Sequence, residues 1–193
     1  MAAINALERF EQSTRRCGVN ARVSRVTHPC REHVAIDMEL PDFPPSRPGQ
    51  FLELLCTPGD DDPPVTLAWD DDRPFALPQA HWTEREAFVR RPFSIADRVE
   101  TPSGSRLSVI SRAIGPGTRF LDRVRVGDTL DVTGPLGQPF QIPDSPRPLL
   151  LVGGGVGIPP LLYLARDLGE RGMHDATVIF GAMSADLMPV PLV

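Results

Sequence analysis

The sequence predicts a fold in two parts, a small antiparallel β barrel or sandwich followed by an α/β unit, and three observations predict it. About six short stretches between Ala21 and Val132 read as strands separated by turn material. A stiff run, Ile142-Pro143-Asp144-Ser145-Pro146-Arg147-Pro148, then marks a boundary. Beyond it, Leu149 to Phe180 reads as strand, crossover helix and strand within about 30 residues. A chain of 193 residues with 41% hydrophobic content has enough apolar side chains to bury a real core.

Residues 1–18 read as an N-terminal extension, in which Ala3, Ile4, Leu7 and Phe10 would form a short amphipathic helix or a frayed end. Alternation of apolar and polar residues predicts strands over Ala21 to Val26 and His33 to Leu40, and a third over Gln50 to Cys56. Pro41 to Gly49 can be neither helix nor central strand, because proline lacks an N–H donor and restricts its predecessor. Residues 58–86 are acidic and proline-rich, with Asp60-Asp61-Asp62 and Asp70-Asp71-Asp72, and read as a solvated insertion or as a flap anchored by Trp69 and Trp82. Strands resume at Ala87 to Ala96 and Arg106 to Ile114. Gly115-Pro116-Gly117-Thr118 then opens a short helix, and Asp128 to Val132 makes the sixth strand.

Composition narrows the function. A net charge of −5 with scattered arginines argues against a nucleic-acid surface. No stretch of about 18 apolar residues is present, so a soluble, cytoplasmic protein with no membrane association is expected. Cys17, Cys30 and Cys56 are widely spaced, and His28, His33, His81 and His174 are isolated, so neither a zinc site nor a disulfide framework is indicated.

The segment from Leu149 to Pro160 carries the strongest signal. An apolar strand runs through Gly153-Gly154-Gly155-Val156-Gly157 into a helix that starts at Pro159-Pro160. Glycines at such a turn let backbone N–H groups approach a pyrophosphate, and the positive end of the helix favours the anion. Gly155 and Gly157 fit the general dinucleotide pattern, but Pro160 stands where a third glycine is usual. Two readings stay open, a nucleotide site or a turn that only packs a helix on a sheet. A second candidate is Arg91-Pro92-Phe93-Ser94, which offers a guanidinium for phosphate, an aromatic ring and a hydroxyl on one strand. Alone, it also fits an ordinary strand edge.

The order of these parts, Arg91-Pro92-Phe93-Ser94, Gly115-Pro116-Gly117-Thr118, Gly134-Pro135-Leu136-Gly137 and then Gly153 to Pro160, resembles the ferredoxin-reductase superfamily. The likeness is greatest to the electron-transfer subunits of class B dihydroorotate dehydrogenase, which share the doubled Arg90-Arg91, the Pro-Leu-Gly turn with a nearby Phe140, and the Gly-Val-Gly-Ile-Pro-Pro-Leu run. It covers roughly Val19 to Asp186, apart from the acidic insertion.

The resemblance implies a six-stranded antiparallel flavin-binding barrel over 19–145, interrupted by the insertion at 58–86, and an incomplete Rossmann-like nucleotide-binding unit over 146–193. It implies FAD, with Arg91 on its phosphate, Pro92 stiffening the strand, Phe93 stacking near the ring and Ser94 close to flavin N5. Ile110, Ser111 and Arg112 would form a second contacting strand, and Gly117 with Thr118 would hold the pyrophosphate. Gly153, Gly154, Gly155 and Gly157 would receive NAD(P)H. The implied function is that of an oxidoreductase moving electrons between a nicotinamide and a partner redox protein, the dihydroorotate dehydrogenase catalytic subunit of pyrimidine synthesis. Alternatives are an NAD(P)H:flavin reductase, a hydrogenase-associated subunit, or a flavin-binding module without catalysis. No acid or base of the chain is expected to be catalytic.

Two departures are expected to matter. Members of that subfamily continue past the second nucleotide-domain strand and end in cysteines that ligate a [2Fe–2S] cluster, so the likeness implies a C-terminally truncated form. A cluster needs four thiolates and this chain has three cysteines, so no bound iron is expected. Met183 stands where relatives often carry arginine near the dinucleotide ribose, leaving NADH or NADPH open.

Overall fold

The computed structural model describes residues 17–56, 90–142, 148–173 and 175–189. The expected N-terminal helix and the acidic insertion 58–86 lie outside these described residues. Six strands build the first part: β1 (Cys17–Thr27), β2 (His33–Leu40), β3 (Phe51–Leu55), β4 (Arg90–Thr101), β5 (Gly104–Arg112) and β6 (Thr129–Leu136). They close into an antiparallel barrel in the order β1-β2-β5-β4-β3-β6, with β6 returning to β1. Closure removes the free edges that a small open sheet would expose.

The period-2 pattern explains the core. Along β5, Ser105, Leu107, Val109 and Ser111 are buried while the residues between them are only partly so. Facing them are Val34, Ile36, Met38 and Leu40 of β2 and Leu52 and Leu54 of β3, all fully buried. Helix α1 (Pro116–Arg123) plugs one end of the barrel through Leu121, with Val124 just after it.

Several strand boundaries differ from those read in the sequence: β1 begins at Cys17, inside the expected 1–18 extension and before Ala21, and β5 begins at Gly104 and ends at Arg112. β4 does not stop at Ala96 but continues through Asp97-Arg98-Val99-Glu100 to Thr101 and turns tightly into β5. The charges hid this stretch, because Arg98 is bent inward and buried instead of standing in solvent. β6 likewise runs on through Gly134-Pro135-Leu136, where the sequence suggested a turn; Gly134 lies opposite Cys17 of β1, and Leu136 opposite Phe51 of β3.

The second part holds β7 (Leu149–Gly154), a short 3-10 turn (Gly155–Gly157), helix α2 (Ile158–Glu170) and β8 (Ala176–Gly181), with β7 and β8 paired in parallel. Pro159 and Pro160 occupy the first turn of α2, where their missing N–H groups cost nothing, and Gly172 at φ +73° ends the helix, as expected. One sheet face is covered: Leu151 packs on Leu161, Leu164 and Leu168 of α2. The other is open, with Leu150 63%, Val152 64% and Ile179 50% exposed. No helix among the described residues is long and apolar enough to cross a membrane.

Candidate cofactor site

The barrel's two glycine-and-arginine signals meet at one end. Arg91, on β4 opposite Leu54, reaches across the start of α1, and a Cβ added to Gly117 would stand 3.2 Å from Arg91 Cγ and 3.4 Å from its Nε. Glycine is what lets the two approach so closely. Among the described residues Arg91 is exposed and has no ion pair, although its neighbour Arg90 is bound to Asp131 at 2.7 Å. The first turn of α1 carries no acidic residue and no side chain caps its N–H groups. A free guanidinium beside an uncompensated helix N-terminus is a cradle for phosphate.

The Thr118 hydroxyl has a structural task. It accepts from the N–H groups of Gly115 and Ile114, at 2.9 and 3.0 Å, and lies 3.0 Å from the Gly115 carbonyl, to which it donates. It thus closes the turn that presents Gly117, with no capacity left for a ligand.

Strand alternation divides the remaining barrel residues. Phe93 is 8% exposed and sits in the barrel core opposite Leu52, so its ring is committed to packing and offers little face for stacking. Pro92 is exposed and Ser94 half-buried on the outer surface. Ile95 pairs with Val109, so Ile110 comes beside Ser94, also half-buried and facing outward. Ser111 points the other way, buried, and its hydroxyl has no hydrogen-bond partner among the described residues. Arg112 faces outward but donates from Nε and Nη2 to a single Glu32 oxygen, Oε2, at 2.9 and 2.8 Å, and its Nη1 lies 4.0 Å from the Met183 sulfur. The structure therefore leaves Arg91 exposed and Ser94 and Ile110 half-buried, with Gly117 buried beneath Arg91, and commits the side chains of Phe93 and Ser111 and the Thr118 hydroxyl to the framework.

Each glycine of the β7–α2 turn has its own requirement. At Gly153 a Cβ would lie 2.6 Å from Leu161 Cδ1 and 3.0 Å from the Gly157 carbonyl, so the residue serves the packing of α2 on its strand. At Gly154 it would come 3.3 Å from the Gly181 carbonyl. Gly155 has φ +52°, a conformation that costs other residues about 1 kcal/mol. At Gly157 a Cβ would meet nothing within 4 Å, and α2 has neither a side-chain cap nor an acid in its first turn. The turn is thus open on the side an anion would take.

The two parts are joined by groups the sequence did not single out. Tyr163 of α2, the chain's one tyrosine, enters the barrel core and donates a 2.8 Å hydrogen bond to the Ser46 carbonyl. Burial pushes its phenol up, against the lowering effect of that bond. Arg166 pairs with Asp97 of β4. Buried Arg98 donates to the Pro44 carbonyl at 2.7 Å, Ser105 Oγ at 2.6 Å and Glu100 at 2.6 Å. At the other end Arg31, in the turn before β2, pairs with Asp186 beyond β8, and hydrogen bonds from Ser184 and Arg31 hold that carboxyl below its usual range. A lone tyrosine on an otherwise apolar helix stripe was the only available signal for this interface.

Cys56 is fully buried beneath the Arg91–Gly117 contact, and burial pushes its thiol up to about 11. Cys30 is partly buried in the turn before β2, and its thiol is raised by burial and by Asp186. Among the described residues no group of three or more His, Cys, Asp or Glu side chains converges as a metal site.

No family model matches the chain. The electron-transfer subunit of dihydroorotate dehydrogenase B (NAD(+)) from Shouchella clausii is 44% identical over 144 residues, 74% of this chain and 45% of that protein. The chain is a homologue of that subunit and carries the ferredoxin-reductase fold. The flavohem-like FAD/NAD binding domain of nitric oxide dioxygenase from Vibrio cholerae superposes with a TM-score of 0.66 at 17% identity, over 86% of this chain and 63% of that one. An NADH-dependent reduced ferredoxin-NADP oxidoreductase superposes with a TM-score of 0.60 at 26% identity, over 86% of this chain and 50% of the other. This homologue of the electron-transfer subunits spans less than half the length of the curated relatives it matches. The six-stranded barrel and the parallel β7–β8 pair are the expected architecture of such reductases.

Proposed function

We propose that the chain is a flavoprotein module that takes electrons from NAD(P)H and delivers them to a partner redox protein, a dihydroorotate dehydrogenase catalytic subunit. The observation that carries this is the exposed Arg91 guanidinium, without an ion pair among the described residues, lying over Gly117 at the N-terminus of α1. FAD fits this end of the barrel, because its pyrophosphate requires a cation, free N–H groups and an approach without a Cβ. When bound, FAD supplies the redox chemistry, accepting a hydride from a nicotinamide and releasing electrons onward.

The chain's own residues bind and orient. Arg91 neutralises the phosphate, with a charge-assisted bond of about 1.5–3 kcal/mol. Ser94 offers its hydroxyl and Ile110 an apolar wall where the ring would lie. Gly155 and Gly157 hold the dinucleotide phosphates at the positive end of α2. No acid or base is needed for hydride transfer, so positioning is the chain's contribution to rate. A cytoplasmic location belongs to the same proposal.

Combining the FAD-loaded chain with a class B catalytic subunit tests the partner: NADH-dependent reduction of orotate is expected, and its absence with a fully reducible flavin overturns that assignment. A second reading, a flavin-binding module without hydride transfer, is favoured by the open apolar face of β7–β8. It predicts a yellow protein that reduced nicotinamides leave unbleached.

A further inference from the structure

We propose that Tyr163, through the hydrogen bond from its hydroxyl to the Ser46 carbonyl, is a positioning residue that fixes the glycine turn of β7–α2 against the Arg91–Ser94 strand. Its catalytic consequence rests on the flavin reading above; its mechanical part does not.

Tyr163 lies six residues beyond the last residue of the 3-10 turn that opens α2, so a displacement of its ring is a displacement of Gly155 and Gly157. Its side chain belongs to the barrel's buried cluster and not to the cluster beneath its own sheet. The ring would pack there equally well as phenylalanine. A hydroxyl in such surroundings costs free energy unless it is bonded, so the one thing it adds is the 2.8 Å link to Ser46.

Ser46 is itself held from the strand that carries the flavin residues. Arg98 of β4 donates to the carbonyls of Pro44 at 2.7 Å and Phe43 at 3.4 Å, and to Ser46 Oγ at 3.4 Å. Gln50, at the end of the same loop, accepts from Arg47 N at 2.9 Å and donates to the Gly137 carbonyl at 3.1 Å. The Arg166–Asp97 pair ties α2 to β4 a second time, one turn further along the helix. A closed mechanical circuit results: β4, Arg98, the 43–50 loop, Tyr163, α2, glycine turn. Hydride transfer is steep in donor–acceptor placement, with about 100-fold lost for a shift near 1 Å, so slack in this circuit reads out as rate.

The test is Tyr163→Phe in the full chain, measured in two ways. In the FAD-loaded protein mixed anaerobically with NADH, the limiting rate of flavin reduction is expected to fall about tenfold, while FAD affinity and the half-saturating NADH concentration stay within about twofold. In the apoprotein, amide hydrogen exchange is expected to rise in residues 43–50 and in α2 together, with β2 and β5 unchanged. An unaltered limiting rate, or an equal loss of FAD affinity, overturns the catalytic part. Unaltered exchange in residues 43–50 overturns the tether itself. Should the wild-type chain take up no flavin, the flavin reading fails, and the exchange measurement still decides the tether.

Discussion

Arg91→Ala is expected to weaken FAD binding about 10- to 100-fold, the loss of one charge-assisted phosphate contact of about 1.5–3 kcal/mol. The apoprotein should hardly notice. Its guanidinium is exposed and has no ion pair among the described residues, so truncation should change stability by no more than about 0.5 kcal/mol. Arg91→Lys keeps the charge but loses the planar fork and should fall between the two. Titration of apoprotein with FAD, followed by flavin fluorescence, measures all three. Equal affinity in wild type and Arg91→Ala would place the pyrophosphate elsewhere.

The second large effect separates two glycines four residues apart. Gly157→Val is expected to fold normally, since a Cβ there touches nothing within 4 Å and the backbone has an ordinary φ of −83°. Binding of NADH or NADPH should nevertheless drop at least about tenfold, because the added methyls occupy the space through which a phosphate reaches the N–H groups of α2. Gly153→Ala should do the reverse. Its Cβ would lie 2.6 Å from Leu161 and 3.0 Å from the Gly157 carbonyl, a clash costing roughly 1–3 kcal/mol and visible as a lower Tm. If Gly157→Val binds dinucleotide as wild type does, the turn is only a packing device, the reading the sequence left open.

Much of this arrangement is legible in the sequence because it is local. Alternation marks β1, β2 and β5; prolines and glycines mark where α1 and α2 begin and where α2 ends; the order of the glycine motifs marks the family. What sequence does not reveal is which way a strand residue faces at a barrel's end, or what a distant loop does with a side chain. Phe93 and Ser111 look like ligand contacts in one dimension, yet the pleat turns both into the core. Arg98 looks like a surface charge that ends a strand, and instead its buried guanidinium organises the 43–50 loop. Tyr163 and Ser46 are 117 residues apart, so no periodicity connects them. Arg112 is spoken for by Glu32, 80 residues earlier, which withdraws it from the set of free cations.

The interface also explains why the covered and open faces of the second part differ. Helix α2 does double duty, burying Leu161, Leu164 and Leu168 against β7 while Tyr163 reaches the barrel. The opposite sheet face, with Leu150, Val152 and Ile179, receives nothing from the described residues. An apolar patch of this kind is a surface for further contacts.

The most direct measurement is an absorption spectrum of the purified chain after incubation with FAD and gel filtration, taken before and after anaerobic addition of NADH and then NADPH. A flavin band that co-elutes with the protein and bleaches with at least one of the two nucleotides is the expected result. A colourless protein that takes up neither FAD nor FMN would contradict the account at its root.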